Sequence, residues 1–211
     1  MAAALFCAAQ AADIQPYVSA ELLYSDIKND MKLSGYDFTM DGPDLLKLKV
    51  DDQIWGGSFA YGIKSGAFRT EIEADLRSEA KKNSVSYDEI DDSFDLGKIA
   101  LSSRSVMLNV FYDFDTGTKF TPYIGGGIGI AHLKVKIRTD EGKVSKSDNS
   151  FAYQLGAGVA YAVTDSVALD LSYRYTDSGS MTVREYSLED ADKTKIDSTA
   201  QEILFGVRYT F

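Results

Sequence analysis

The most concentrated chemistry in the sequence lies between residues 68 and 77, where charged and apolar residues alternate. Charged side chains occupy every second position: Arg69, Glu71, Glu73, Asp75 and Arg77. Residues two apart on a β-strand share one face, and guanidinium groups and carboxylates on a common face form ion pairs. The pattern therefore predicts a strand with one apolar face and one face able to build an ion-paired network.

Other reactive side chains are scarce. The chain contains one histidine, His132, and one cysteine, Cys7. Cys7 alone supports neither a zinc site nor a cysteine-based catalytic motif. The formal net charge of −10 argues against nucleic acid, because phosphate binding requires clustered Lys and Arg. We therefore expect no metal ion, no cofactor and no nucleic-acid partner.

Eight segments show the two-residue alternation that places such side chains on one face of a strand. They cover residues 16–25, 54–63, 68–77, 103–114, 122–132, 151–162, 167–175 and 202–211. Each is long enough to cross a bilayer, since a transmembrane strand needs about 9 to 11 residues. No window holds the roughly 18 consecutive apolar residues of a transmembrane helix, in keeping with the mean hydropathy of −0.18. A single strand with this alternation could also belong to a soluble β-sandwich.

The connections decide between sandwich and barrel, because they alternate in length. Short turns fall at 65–66, 115–118 and 164–165. Long polar stretches fall at 26–53, 78–102, 133–150 and 176–201. A sandwich has no reason to follow this rule, whereas outer-membrane barrels have short periplasmic turns and long extracellular loops. We predict that residues 12–211 form one all-β domain, an eight-stranded antiparallel up-and-down transmembrane β-barrel.

Aromatic residues fall in two bands that match this arrangement. Near the short turns lie Tyr61, Phe68, Tyr112, Phe114, Phe120, Tyr161, Tyr209 and Phe211. Toward the long loops lie Tyr24, Trp55, Phe151 and Tyr175. Aromatic girdles at both membrane interfaces are typical of transmembrane barrels.

Two stretches of sequence resemble a known family. Gly206, Tyr209 and the final Phe211 resemble the C-terminal signature that the outer-membrane assembly machinery reads in bacterial outer-membrane barrels. Residues 105–130, SVMLNVFYDFDTGTKFTPYIGGGIGI, and residues 167–175, VALDLSYRY, resemble the small opacity-type, OmpA-like barrels of Gram-negative bacteria. This porin-family group includes neisserial surface protein A. The resemblance implies a surface antigen in the bacterial outer membrane, monomeric, with outer-membrane lipid, lipopolysaccharide and the assembly machinery as partners.

The N-terminal residues read as a targeting segment. Residues 1–12, MAAALFCAAQAA, form a short apolar run, and Ala9-Gln10-Ala11 fits the A-x-A cleavage rule. We interpret residues 1–11 as the remnant of a secretory signal peptide that lacks its basic region. A lipoprotein signal at Cys7 is the competing interpretation, although Phe6 precedes the cysteine where a small residue is expected.

Parity along the strands predicts which polar side chains share the barrel interior. These are Glu21, Arg69, Glu71, Glu73, Asp75, Arg77, Asn109, Asp113, Asp170, Arg174, Glu202 and Arg208. An eight-stranded barrel is just wide enough for side chains to fill it, so we expect a plugged interior held by ion pairs. A narrow ion path is the alternative, which would make the protein a small porin. Carboxylates outnumber arginines in this set, so some must be hydrated or protonated.

The long connections predict how the protein meets its surroundings. Residues 134–149 carry five Lys and Arg against three acids, whereas the other three long stretches are acidic. Lys134, Lys136 and Arg138 follow the fifth segment and are candidate contacts for lipopolysaccharide phosphates. The acidic stretches serve either solubility and repulsion from neighbouring lipopolysaccharide, or binding of a host or other extracellular ligand.

Apolar residues in the first long stretch leave two interpretations open. They are Leu33, Tyr36, Phe38, Met40, Leu45, Leu46, Leu48 and Val50. Either the strands continue above the membrane and pack on one another, or a hydrophobic groove is offered to a lipid or a host protein. The alternation of Leu46, Leu48 and Val50 favours longer strands.

We predict that the protein has no enzymatic activity. A few eight-stranded barrels hydrolyse or acylate lipid A, and such a site needs a nucleophile beside a base. Parity points His132 outward, toward the outer leaflet. Barrel deacylases typically carry a His-x-Ser motif. In this sequence the residue two positions after His132 is Lys134, so the motif is not matched. The sequence thus predicts a structural or adhesin-like surface protein that binds partners through its loops.

Overall fold

The computed structural model describes residues 14–34, 46–82, 98–139, 142–185 and 192–211. These residues form nine strands: β1 (Ile14–Ser34), β2 (Leu46–Ser65), β3 (Phe68–Arg77), β4 (Ala80–Lys82), β5 (Lys98–Asp113), β6 (Phe120–Thr139), β7 (Gly142–Ala162), β8 (Val167–Glu185) and β9 (Asp192–Thr210). The predicted signal-peptide remnant, residues 1–11, lies outside the described part of the chain. In the described ranges, no helix is long and apolar enough to cross a membrane.

The strands close into one antiparallel barrel. Their order is β3-β2-β1-β9-β8-β7-β6-β5, and pairing of β3 with β5 joins the two ends. The short β4 continues β3 after a break at Ser78 and Glu79, and it also pairs with β5. Counting β3 and β4 as one strand, the described residues give the eight-stranded up-and-down barrel that the sequence predicts, and this prediction is confirmed.

The first and last strands complete the ring. β1 pairs with β9 from Tyr17 opposite Thr210 to Ser34 opposite Lys193. Beyond the last strand, the Phe211 amide donates a hydrogen bond of 3.0 Å to the Pro16 carbonyl. Closure matters physically because a free edge of this apolar, aromatic strand would promote aggregation.

Tight turns join the strands at one end of the barrel. Gly66 and Gly117 adopt positive φ angles of 60° and 65° in the turns before β3 and β6. The Gly117 amide donates to Asp115 Oδ1 at 2.9 Å, so the Asp side chain stabilises the turn in the way predicted for such residues. We call this end the turn end and the opposite one the loop end.

The strands continue well beyond the predicted segments toward the loop end. β1 and β2 remain paired up to Leu33 opposite Leu46, so most of the predicted 26–53 loop is strand. This extension is what the first interpretation of the apolar residues requires; residues 35–45 lie outside the described part. Sequence alternation underestimates these strands because polar residues above a membrane can face water on both sides of the sheet.

The wall separates into two sheets near the loop end. Pairing of β7 with β8 stops at Tyr153 opposite Asp177, and pairing of β2 with β3 stops at Gly56 opposite Arg77. A β-bulge follows Asp177, where Gly179 takes a φ of 72° and donates its amide to Asp177 Oδ1 at 2.8 Å. Above these points β8, β9, β1 and β2 form one sheet, and β4 to β7 form the other.

Large apolar side chains cover the outside of the barrel. Among them Leu22, Phe59, Ile72, Ile128 and Phe205 are each more than half exposed. Their positions alternate with buried polar residues along each strand; β3 alternates throughout its length. A surface this apolar is stable only against lipid.

Candidate functional site

The chemistry-bearing side chains gather inside the barrel. The structure buries eleven of the twelve predicted interior residues: Arg69, Glu71, Glu73, Asp75, Arg77, Asn109, Asp113, Asp170, Arg174, Glu202 and Arg208. The twelfth, Glu21, is half-buried and borders an interior cavity. The alternation of each strand determines this placement, since every second side chain must face the axis.

Glu202 lies at the centre of the hydrogen-bond network in the part of the interior nearer the loop end. Arg77 donates to both of its carboxylate oxygens, from Nε at 2.7 Å and from Nη2 at 3.0 Å. Arg174 Nε and the Thr176 hydroxyl donate to Oε2 at 2.8 and 3.1 Å. Two guanidinium groups therefore share one fully buried carboxylate, which spreads the charge over four strong hydrogen bonds.

Asp75 connects this cluster to neighbouring strands. Its Oδ1 accepts from Arg174 Nη2 at 3.2 Å, and its Oδ2 accepts from the Ser105 hydroxyl at 2.9 Å. Ser105 Oγ in turn accepts a hydrogen bond of 3.0 Å from Arg77 Nη1. The Ser105 hydroxyl thus bridges the Arg77 guanidinium and the Asp75 carboxylate.

Glu73 is the centre of the middle layer. It pairs with Arg174 Nη1 and accepts from the Ser58 hydroxyl at 2.7 Å and from Gln154 Nε2 at 3.0 Å. Asn109 donates to Glu73 as well as to Glu71 Oε1, the latter at 3.2 Å. Asn109 thus links the neighbouring strands β5 and β3, whereas Gln154 reaches from β7 to Glu73 on β3, with β5 and β6 between them in the wall.

Toward the turn end, Asp113 holds two cations. Arg69 Nε lies 2.8 Å from its Oδ1, and Lys64 Nζ lies 3.0 Å from its Oδ2. The Arg69 guanidinium also lies 4.7 Å from the Phe111 ring centroid and 4.6 Å from that of Tyr123, within cation–π range. The faces of the two aromatic rings thus stabilise the buried positive charge of Arg69.

Two further contacts close this end. Arg208 Nη2 lies 3.2 Å from Asp170 Oδ1, and the Tyr17 hydroxyl donates to Glu71 Oε2 at 2.7 Å. Tyr17 is fully buried, and its ring lies beneath the Arg208 guanidinium. Every strand of the barrel thus contributes to the filling of the interior.

The interior also contains a cavity of about 40 Å³. Glu21, Glu71, Asp170 and Arg69 are among its lining residues. Asp170 Oδ2 and Arg69 Nη2 have no hydrogen-bond partner within the described protein. A polar space of this size has room for about two or three water molecules, which can satisfy such atoms.

Sequence reasoning omitted several uncharged or partly exposed members of the network. They are Tyr17, Ser58, Lys64, Ser105, Gln154 and Thr176. All lie at the inward parity of their strands, so the same alternation that identified the charged residues could have found them. It also missed an apolar cluster nearer the loop end, formed by Ile27, Ile54 and Ala200.

His132 lies on the outer face, as parity predicts. Its side chain is exposed, and its Nδ1 lies 2.8 Å from Asn149 Oδ1. The strand neighbours opposite it are Arg104 and Asn149. Neither is a nucleophile, so the contacts of His132 in the described residues do not form a catalytic pair.

The candidate lipopolysaccharide contacts are placed differently from the sequence prediction. Lys134, Lys136 and Arg138 lie inside β6 rather than beyond the strand, and Lys134 and Lys136 occupy outward positions. Lys136 forms an ion pair with Glu79. Lys134 is partly exposed, and of Arg138 only the backbone is described.

Of the residues of the predicted assembly signal, Tyr209 and Phe211 lie at the turn end, and Gly206 lies further along β9, opposite Glu21. Gly206 and Tyr209 belong to β9, and the rings of Tyr209 and Phe211 meet edge to face with centroids 5.2 Å apart. Phe211 is exposed on the outer surface. The aromatic band continues around the barrel through the Phe120–Tyr161 and Phe68–Tyr112 pairs.

A closed antiparallel barrel with an apolar exterior and a charged interior defines a transmembrane β-barrel of the outer membrane. Comparison with known proteins agrees. The family model described as "Outer membrane protein beta-barrel domain" matches residues 1–211, and the chain belongs to this family. Its location in the bacterial outer membrane follows, with the turns on the periplasmic side and the loop end outside the cell.

Individual relatives are similar over part of the sequence. The chain is 34% identical to outer membrane protein PagN of Salmonella typhimurium over 115 residues, which cover 50% of this chain and 48% of PagN. It is 30% identical to putative adhesin RC1281 of Rickettsia conorii over 117 residues, covering 50% and 47%. It is also 30% identical to outer membrane protein P.IIC of Neisseria gonorrhoeae, covering 51% and 46%. The chain thus spans about half the length of the curated relatives it matches.

Solved structures share the fold at low sequence identity. Neisserial surface protein A superposes with a TM-score of 0.59 at 19% identity, covering 93% of this chain and 97% of that protein. OprG of Pseudomonas aeruginosa gives 0.57 at 16% identity, covering 93% and 96%. The protease OmpT of Escherichia coli gives 0.54 at 11% identity, covering 92% and 97%. The resemblance to small opacity-type, OmpA-like barrels is confirmed at the level of family and fold.

Proposed function

We propose that this outer-membrane barrel is a non-enzymatic surface protein with a plugged interior, which binds an extracellular partner through its loop end. The observation that carries the proposal is the density of the filling. Arg77 and Arg174 are buried and both donate to the buried Glu202, so these side chains fill the interior where a pore would need open space. The interior cavity bordered by Glu21 and Asp170, of about 40 Å³, has room for about two or three water molecules.

Single-channel recording tests the plugged interior against the alternative of a narrow porin. The full chain is reconstituted in planar bilayers, and we expect no stable conductance steps. Reproducible steps that change in size when Asp170 is replaced by Asn would contradict the plug and support the porin. An Asn149→Ala variant, altered outside the barrel axis, is the matched control.

The absence of enzymatic activity rests on the surroundings of His132. Its ring nitrogen is engaged by Asn149, and no Ser, Thr or Cys pairs with it among the described contacts. We expect the lipid A of cells producing the wild-type protein and the His132→Ala variant to be identical by mass spectrometry. A deacylated or newly acylated lipid A that depends on His132 would refute this part of the proposal.

The adhesin-like role is supported by the kind of proteins that this chain is similar to. The relative from Rickettsia conorii is named a putative adhesin, and the others are named as outer membrane proteins. Five strand pairs extend the barrel wall toward the loop end, which supports the loops well away from the lipid surface. Such a scaffold suits recognition by loops.

Cell binding tests this role directly. Gram-negative cells that produce the full chain should adhere to epithelial cells more than cells with an empty vector. Replacing residues 35–45, 83–97 and 186–191 by short Gly-Ser linkers should abolish adhesion while the amount of heat-modifiable barrel in the outer membrane stays the same. Equal adhesion with and without the loops would contradict loop-mediated binding.

Export and assembly are part of the same proposal. Residues 1–11 serve as the remaining part of a secretory signal, and Gly206, Tyr209 and Phe211 present the signal that the outer-membrane assembly machinery recognises. The exposed position of Phe211 at the periplasmic end supports that role. We further propose that the barrel is a monomer, and size-exclusion chromatography with light scattering in detergent would test this.

A further inference from the structure

The outer face of β5, β6 and β7 carries a row of polar and cationic residues close to the lipid. Arg104 lies directly opposite His132, and His132 lies opposite Asn149. All three side chains are exposed. Lys134 follows His132 on the same face, two residues nearer the loop end. Side chains opposite one another on neighbouring strands lie about 5 Å apart, so these groups can contact one ligand.

An apolar row lies directly beneath. Val106 is opposite Ile130, and Ile130 is opposite Phe151, each two residues nearer the turn end than its polar counterpart. Their exposed fractions are 56%, 62% and 63%, so their outward surfaces belong to the lipid-facing belt. Two residues of strand span about 7 Å. The cations therefore stand where acyl chains give way to headgroups.

The cations of this row differ in how they are already paired. Lys136, two residues beyond Lys134, forms an ion pair with Glu79. For Arg104 and Lys134, no ion pair is found with any described residue. His132 is oriented through Nδ1 by Asn149, which leaves Nε2 for a ligand. The chain has a net charge of −10, so this group is a local region of positive charge on an acidic protein.

We propose that Arg104, His132 and Lys134 bind a phosphate group of lipid A in the outer leaflet, with its acyl chains on Val106, Ile130 and Phe151. The Arg104 guanidinium supplies a planar fork that matches two phosphate oxygens, and Lys134 supplies a point charge. The site faces away from the barrel axis and adjoins the lipid belt, which favours a membrane lipid over a soluble polyanion. It is separate from any partner bound by the loops.

This site revises the candidate contacts derived from sequence. Lys136 is already neutralised by Glu79, and Arg104, 30 residues earlier in the chain than Lys134, takes its place because strand pairing brings it beside His132. Sequence reasoning could not find Arg104, since its neighbours are defined by the register of β5 against β6.

Binding of lipid A to the full chain in detergent, followed by native mass spectrometry, tests the proposal. The Arg104→Ser/Lys134→Ser variant should bind diphosphorylated lipid A at least about tenfold more weakly than wild type, the loss expected when charge-assisted hydrogen bonds to phosphate are removed. Lys28→Ser, an exposed outward Lys on β1, and Lys119→Ser, at the turn end, are matched controls and should bind like wild type. Arg104 is exposed and Lys134 is partly exposed, so we expect the double variant to fold, and heat modifiability on a gel checks this.

A second arm separates phosphate recognition from contact with acyl chains. Dephosphorylated lipid A should bind more weakly to wild type and equally to wild type and the double variant. The proposal is overturned if the double variant binds diphosphorylated lipid A like wild type. It is also overturned if a sulfated polysaccharide binds without lipid and with the same dependence on Arg104 and Lys134, since the ligand would then be a soluble polyanion.

Discussion

Arg77 and Glu202 form a bidentate ion pair across the barrel interior, although 125 residues separate them in the sequence. Arg77 ends β3 and Glu202 lies in β9, and β2 and β1 stand between those strands in the wall. The pair is fully buried. The ion pair therefore connects two strands, β3 and β9, that share no backbone hydrogen bond.

Removing one member of this pair should destabilise the barrel strongly. An Arg77→Met variant leaves Glu202 with one of its two cations, Arg174, and removes the hydrogen bond to Ser105. Breaking a buried ion pair in this way costs about 3–5 kcal/mol. The free energy of unfolding, measured by urea titration in lipid vesicles with Trp55 fluorescence, should fall accordingly. The Arg77→Met/Glu202→Met double variant should lose less than the sum of the two single variants. Strict additivity would show that the two residues do not interact.

A methyl group at Gly127 on β6 should disturb the interior through Asn109, its paired neighbour on β5. A Cβ there would lie 1.8 Å from Asn109 Oδ1 and 2.8 Å from the Leu108 carbonyl oxygen. Since Asn109 donates to Glu71 and Glu73, Gly127→Ala should displace a residue of the network and cost about 1–3 kcal/mol. Gly57→Ala is the matched control, because the nearest atom to its Cβ lies at 3.7 Å. Equal stability of the two variants would contradict the packing described for Asn109.

Replacement of Phe211 should affect assembly rather than stability. The side chain is 68% exposed, so Phe211→Ala removes little packing and should unfold in urea like wild type. In cells, by contrast, we expect a several-fold smaller folded fraction, measured by heat modifiability of outer-membrane extracts, because we propose that the assembly machinery recognises this aromatic residue. Phe120→Ala, which removes an exposed aromatic at the same end, should assemble normally. A parallel loss in both variants would mean that the aromatic band as a whole matters.

The prediction from sequence succeeded where a local rule applies. On β3, alternate positions assign Ile72 to the outside and Glu73 to the inside, and the structure agrees. The same parity places His132 outward. It failed at the ends of β1 and β2, because polar residues beyond the membrane obscure the alternation while strand pairing continues.

The sequence by itself determined the class of this protein: alternation of apolar and polar residues and connections of unequal length suffice to predict an outer-membrane barrel, since the side-chain period of a strand is a property of two adjacent residues. Only the tertiary structure decided which acid meets which base, and that Arg104 stands beside His132. These contacts depend on the register between strands and on closure of the ring, and both are settled by all eight strands together rather than by any one of them.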